Sequence, residues 1–113
     1  MDQNTKNYTE RYILDVAFDC INFSEKATKY FNPNFGTGLQ LLNQAFFCAK
    51  QLQEFYYSGC LKDELYSFYH QFSVFNLAYL TEVKDKSNIE KELRLLAELH
   101  LKLSATNLDN AEV

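Results

Sequence analysis

The sequence predicts an all-α protein, an antiparallel up-down-up-down four-helix bundle, from three observations. Three stretches have the spacing of an N-terminal capping box, and each stands directly before a segment with helical apolar spacing. A proline and a glycine interrupt the chain where helices would end. No segment alternates apolar and polar residues as a half-buried strand does. The three capping boxes are Asn7-x-x-Glu10, Thr37-x-x-Gln40 and Ser87-x-x-Glu90.

The first helix is predicted over residues 8–31. Its apolar residues gather on one side at 100° per residue, and its charged residues lie toward the other side. Asn32-Pro33-Asn34 ends it, because the residue before proline is pushed out of the α region and proline has no amide donor. The apolar stripe consists of Tyr12, Ile13, Val16, Cys20, Phe23, Ala27, Tyr30 and Phe31.

The second helix is predicted over residues 38–57, with Gly59 placed to close it in the left-handed conformation. Its main stripe faces the core, but further apolar side chains project on a second flank, where an isolated bundle normally carries charge. The stripe is Leu41, Leu42, Ala45, Cys48, Ala49, Leu52, Phe55 and Tyr56, and the second flank is Leu39, Phe46, Phe47 and Tyr57.

The last two helices are predicted over residues 61–84 and 88–103, followed by a polar tail at 104–113 that frays. The third helix also carries apolar groups on its back, at Tyr66, Val74 and Leu77. The short connections make consecutive helices antiparallel neighbours, so residues 1–113 form a single domain. The apolar stripe of the third helix is Leu61, Leu65, Phe68, Tyr69, Phe72, Phe75, Tyr79, Leu80 and Val83. The stripe of the fourth helix is Ile89, Leu93, Leu96, Leu99, His100 and Leu103.

Length and charge limit the classes of function. A chain of 113 residues makes one domain with a workable core. The formal charge of −4 and the pI near 5.1 disfavour nucleic-acid binding, which usually needs a basic face. No apolar run approaches the roughly 18 residues of a membrane helix, and the polar start at 1–4 does not resemble a secretory leader. We therefore expect a cytoplasmic protein that does not bind membranes.

The residues that could perform chemistry indicate neither an enzyme nor a cofactor or metal site. Cys20, Cys48 and Cys60 are odd in number and lack ligand spacing, so reduced thiols are expected. A di-iron bundle needs Glu-x-x-His on two helices, whereas the closest pair here is Glu98-x-His100. His100 falls in a core stripe, where a hydrogen-bonded histidine is the ordinary interpretation. An enzyme or small-ligand binder that uses tyrosines and His100 inside the bundle is kept as a third hypothesis.

Aromatic residues make up 16% of the chain, more than four simple stripes require. One interpretation is that the surplus turns inward at the helix edges. The other is that the second and third helices expose an apolar patch that another chain covers. The second interpretation predicts a non-enzymatic helical protein–protein interaction module, self-associating, that acts as an adaptor or accessory subunit. Its partner interface consists of Leu39, Phe46, Phe47, Tyr57, Tyr66, His70, Val74 and Leu77.

The order of the first two helices carries a resemblance to a known family. A long helix ends in Lys29-Tyr30-Phe31-Asn32-Pro33, and Phe35-Gly36 then leads through Leu39 into a second long helix. This layout resembles the four-helix-bundle proteins encoded in ribosomal RNA intervening sequences, whose relatives include the accessory protein of diversity-generating retroelements. The resemblance implies a symmetric ring, typically of five subunits, and in the retroelement branch binding to a reverse transcriptase and RNA through a basic surface.

The alternative function is therefore an accessory protein of that family that binds RNA, DNA or a reverse transcriptase. The net negative charge disfavours the nucleic-acid part of this alternative. The candidate nucleic-acid contacts are Arg11, Lys26, Lys29, Lys50 and Lys62.

Overall fold

The computed structural model describes residues 3–57, 62–81 and 86–111, and the side chains at 11–54, 63–81 and 86–105. Four α-helices and no strand occur in this part of the chain, which confirms the all-α class. None of the described helices is both long and apolar enough to cross a membrane. The helices are α1 (Gln3–Tyr30), α2 (Phe35–Tyr57), α3 (Lys62–Thr81) and α4 (Ser87–Ala111).

The helices pack as a ring of neighbours. α1 packs against α2 and α4, and α3 packs against the same two helices. The molecule measures 50 × 21 × 19 Å. At about 1.5 Å per residue, helices of this length extend roughly 30–42 Å, so their axes follow the long dimension. The arrangement of the described helices is compatible with a bundle.

Every helix contributes fully buried side chains to one core. α3 supplies the bulkiest groups, while α1 and α2 meet through small residues that allow close approach. Two buried hydroxyl groups on α1 donate back to carbonyls one turn earlier, Ser24 to Cys20 at 2.8 Å and Thr28 to Ser24 at 2.9 Å. The fully buried core residues include Ile13, Ala17, Cys20, Ala27, Ala45, Ala49, Leu52, Leu65, Phe68, Phe75, Tyr79, Ile89, Leu96 and Leu103.

The start of α2 differs from the sequence-based prediction. The Thr37 amide donates to the Asn34 Oδ1 atom at 3.1 Å, and the Gly38 amide donates to the Asn34 carbonyl at 3.0 Å. These bonds make Asn34 the N-cap, so α2 begins at Phe35, three residues before the predicted start. Thr37 therefore lies inside the helix, and the predicted box Thr37-x-x-Gln40 does not begin it.

Two other predicted boundaries also differ. α1 begins at Gln3, so the box Asn7-x-x-Glu10 lies within the helix rather than before it. α4 continues to Ala111, where a polar tail was predicted from 104, because no glycine or proline interrupts residues 104–111. The third box does coincide with the start of α4 at Ser87. Leu61, Val83 and the predicted end of the third helix at 84 lie outside the described residues.

Three helices meet at a buried hydroxyl group. The fully buried Tyr79 of α3 donates its hydroxyl proton to the Ala27 carbonyl of α1 at 2.6 Å. Its ring also packs edge-on against Phe31, at a centroid distance of 5.1 Å. A Cβ atom at Gly38 of α2 would collide with the Tyr79 hydroxyl group. Burial raises the pKa of Tyr79, so the hydroxyl stays protonated and remains a donor.

Candidate docking surface

α2 and α3 carry almost no charge over most of their length. Neither Phe35–Ala49 nor Leu65–Thr81 contains an Asp, Glu, Lys or Arg, whereas charged residues recur along α1 and α4. A solvent-facing helix normally carries charged side chains on its outer face. The absence of charge therefore distinguishes the α2–α3 side of the molecule. The charged residues of α2 and α3 all lie toward one end, at Lys50, Glu54, Lys62, Asp63 and Glu64.

One flank of α2 faces α3. The Phe35 ring packs edge-on against Tyr79 of α3, with centroids 5.8 Å apart. Leu39 and Phe46 follow Phe35 by four and eleven residues, so they lie on the same flank. Both side chains are exposed. The Nζ atom of Lys50 lies 5.7 Å from the Phe46 ring centroid and is the nearest charge on this flank.

The corresponding flank of α3 is identified by its contact with α4. The Nε2 atom of Gln71 donates to the Glu92 carbonyl at 3.0 Å and to the Glu92 carboxylate at 3.2 Å. The opposite side of α3 is therefore the side nearer α2. At 100° per residue, that side carries a row of exposed residues spaced by four, three, four and three. The row is Tyr66, His70, Ser73, Leu77 and Leu80.

The two flanks together form one surface, which we call the α2–α3 face. It consists of Leu39 and Phe46 from α2 and of Tyr66, His70, Ser73, Leu77 and Leu80 from α3. Its five apolar side chains are between 36% and 62% exposed. If a whole large side chain presents about 200 Å², they leave roughly 500 Å² of apolar surface uncovered. A stable interface buries about 800 Å² on each partner, a little over half of it apolar, so the α2–α3 face is large enough for one.

Five of the predicted interface residues lie on the α2–α3 face, whereas Val74 and Phe47 do not. Val74 is exposed next to it, one residue beyond Ser73. Phe47 is 67% exposed but projects about 100° further round α2 than Phe46 does, on the outer side of the helix. The side chain of Tyr57 lies outside the described residues.

The sequence-based prediction missed Leu80. It was placed in the core stripe of α3, yet it is 55% exposed. The alternation of three and four residues that links Tyr66, Ser73 and Leu77 extends to Leu80 and could have identified it. Tyr12 and Tyr30 of α1 were also placed in a core stripe and are exposed.

A second, smaller apolar area lies where α1 meets α4. Phe18 of α1 is exposed there, Leu101 of α4 is exposed one residue beyond His100, and neither was singled out from the sequence. The His100 ring lies between Phe18 and Phe68, with centroid distances of 6.2 and 6.4 Å. Burial lowers the pKa of His100, and the charge of Glu25 opposes that shift. His100 is therefore a half-buried packing residue in this structure.

The candidate nucleic-acid contacts do not form one basic surface. Arg11, Lys26, Lys29 and Lys50 are exposed, and the side chain of Lys62 lies outside the described residues. Arg11 and Lys29 are separated by about 27 Å along α1. Lys50 belongs to another helix and lies over Phe46.

Lys29 instead lines a groove of about 340 Å³ between α1 and α4. Lys86 and Arg94 line the same groove, and the carboxylates of Glu25 and Glu90 stand among them. The charge of the groove is therefore mixed, which does not favour a polyanion.

The groups that could perform chemistry are few among the described residues. No three His, Cys, Asp or Glu residues there are placed to hold a metal ion. The Cys20 thiol is buried and donates weakly to the Ala45 carbonyl at 3.5 Å. Burial raises the pKa of Cys20 and of Cys48, which keeps both thiols protonated and poorly nucleophilic. Cys60 lies outside the described residues.

Comparisons with models of known protein families, with curated proteins and with solved structures found no match. The resemblance to the intervening-sequence family therefore stays an expectation from the sequence.

Proposed function

We propose that this protein is a non-enzymatic helical interaction module, an adaptor or accessory subunit of the cytoplasm that docks a protein partner on the α2–α3 face. The observation that carries the proposal is the coincidence of exposed apolar side chains with a charge-free stretch on two adjacent helices. Leu77 is 62% exposed in a segment that has no formal charge from Leu65 to Thr81. A permanently exposed surface of this kind promotes aggregation, and a partner that covers it removes that liability.

The proposal includes the up-down-up-down order of the bundle, which gives the face its two antiparallel helices. Three contacts support that order. Cys20 of α1 meets Ala45 of α2, at similar distances from the turn that joins these helices. Gln71 in the middle of α3 meets Glu92 near the start of α4, across the short connection between these helices. Thr28 and Lys29 near the end of α1 line one groove with Glu90 near the start of α4, as antiparallel neighbours do.

Site-specific photo-cross-linking in cells tests the proposal. A photoreactive amino acid replaces Leu77 in one variant and Leu101, which is 68% exposed on α4, in a control. The proposal predicts a discrete cross-linked protein product from position 77 and a much weaker one from position 101. The mass of the product identifies the partner as another chain or as a second copy. Equal labelling from the two positions, or no product from position 77, contradicts the proposal.

A further inference from the structure

We infer that the partner on the α2–α3 face is a second copy of this chain, and that the two α3 helices pair antiparallel about a twofold axis at Ser73. This inference rests on the proposed function, because it names the occupant of the same face.

The spacing of the exposed row on α3 indicates that a helix covers it. Tyr66, His70, Ser73, Leu77 and Leu80 follow one another by four, three, four and three residues. An average of 3.5 residues is the period that keeps a row of side chains in line with a facing helix. The buried stripe of α3 packs inside the bundle, so the helix has a second seam on its outside.

The charge of the face favours a second copy over a different partner. Long-range recognition of a different protein commonly uses a patch of one sign that meets the opposite sign. The α2–α3 face offers no such patch, since its residues are apolar, hydroxyl-bearing or histidine and Lys50, over Phe46, adds a single charge at its edge. Two copies can therefore meet at this face without charge repulsion, although each chain carries a net charge of −4.

The order of residues along the seam selects the antiparallel arrangement. With a twofold axis at Ser73, Tyr66 of one copy faces Leu80 of the other, and His70 lies within one residue of the level of Leu77. A parallel pairing would instead place His70 against itself and bring Asp63, at the edge of the seam, next to its own counterpart. Like charges opposite one another destabilise a seam, and the antiparallel pairing separates them. Ser73 at the axis is small, which allows the two helices to approach closely.

The exposed apolar area of the α2–α3 face also matches the area that a dimer interface needs. The roughly 500 Å² of apolar surface on one copy is the apolar share of a standard interface side. Leu39 and Phe46 of α2 lie beside the seam, so they extend the contact beyond α3.

Cysteine cross-linking tests the inference in a chain that carries Cys48→Ser and Cys60→Ser, with the buried Cys20 retained. A Ser73→Cys variant places two thiols at the axis, where a disulfide needs Cα atoms within about 7 Å. An Asp63→Cys control lies ten residues from the axis, so its two copies would be about 30 Å apart. Under mild oxidation with oxidised glutathione we expect on the order of tenfold more covalent dimer from Ser73→Cys than from the control, because thiols held at the axis react at a millimolar effective concentration.

A mixing experiment tests the register. A Tyr66→Cys chain mixed with a Leu80→Cys chain should give mainly the mixed covalent dimer, since these positions face each other across the seam. Circular dichroism confirms that each variant folds. Equal cross-linking at 73 and 63, or a folded chain that light scattering reports as a monomer at about 50 μM, overturns the inference.

The result also separates this inference from the proposed function. If position 77 photo-cross-links to a different protein while the purified chain stays monomeric, the docking face stands and the second copy is wrong. If position 77 cross-links to nothing, both are wrong.

Discussion

Leu77 of α3 and Leu101 of α4 are exposed to a similar degree, 62% and 68%, but their surroundings differ. Leu77 belongs to a charge-free helix face with other exposed apolar side chains. Leu101 follows His100 on α4, a helix along which charged side chains recur. A single exposed apolar side chain is ordinary on a protein surface, and only its surroundings indicate a binding surface.

The largest expected effect comes from placing a charge at each of these two leucines. Leu77→Asp should weaken self-association by about 100-fold or more, because each of two copies loses about 1.5–3 kcal/mol of burial and gains a desolvated carboxylate. Leu101→Asp should leave the association constant unchanged within about a factor of two. Sedimentation equilibrium measures both, and a comparable loss in the two variants would remove the distinction between the two leucines.

The second prediction concerns the junction that ties α3 to α1 and α2. Gly38→Ala should lower the free energy of unfolding by about 2–3 kcal/mol, because the new methyl group displaces the Tyr79 hydroxyl group from Ala27. Gly36→Ala is the matched control, since its Cβ atom would meet only the Asn34 Oδ1 atom at an ordinary 3.6 Å. In that control we expect no loss, or a small gain from helix propensity.

Removing the Tyr79 hydroxyl group tests whether it causes the destabilisation expected from Gly38→Ala. Tyr79→Phe alone should cost about 1 kcal/mol for the lost hydrogen bond. In the Tyr79→Phe background, Gly38→Ala should cost less than it does in the wild type, because its main collision is gone. Urea unfolding of the four proteins gives the coupling energy. Strict additivity would mean that the hydroxyl group does not decide the residue at position 38.

The cap of α2 provides a third prediction, with a smaller effect. Asn34→Ala should lower the free energy of unfolding by about 1 kcal/mol, since the Thr37 amide loses its acceptor. Thr37→Ala should cost much less, because Thr37 is within the helix. Thermal and urea unfolding distinguish the two positions, and the reverse order of effects would restore the cap predicted from the sequence.

The sequence predicted much of the fold because its main signals are local. The helical spacing of apolar residues identified four helices, and the buried Leu96 and Leu103 illustrate how well that spacing marks a core face. The start of α2 was misplaced because two residues with capping side chains, Asn34 and Thr37, stand three residues apart. Local spacing does not show which of the two is at the end of the helix, whereas the hydrogen bonds do.

The candidate surface was less predictable because exposure depends on neighbouring helices. Leu80 fits both the core stripe of α3 and the outer row, and only the position of α2 decides that it is exposed. Phe47 has the right composition for the surface but lies on another side of α2. The contact of Tyr79 with Ala27 joins residues 52 positions apart, which no short-range pattern reveals.

The smallest effect concerns how the free energy of unfolding depends on pH. We expect it to differ between the two histidines, His100 and His70. Burial against Phe18 and Phe68 lowers the pKa of His100 below its ordinary value of 6.5. The unfolded chain therefore binds this proton more readily than the folded chain, so the free energy of unfolding should fall as the pH drops below about 7 toward 5.5. Because the ring is only half-buried, solvent screening should keep the contribution below about 1 kcal/mol.

Measuring this effect requires that dissociation be separated from unfolding, so Leu77→Asp serves as the parent chain. Adding His100→Gln should flatten the dependence of the free energy of unfolding on pH between 7.5 and 5.5. Adding His70→Gln instead, at an exposed position on α3, should leave that dependence in place. If the two substitutions flatten it equally, the packing of His100 between Phe18 and Phe68 does not control its protonation, and the α1–α4 contact is more open than the structure indicates.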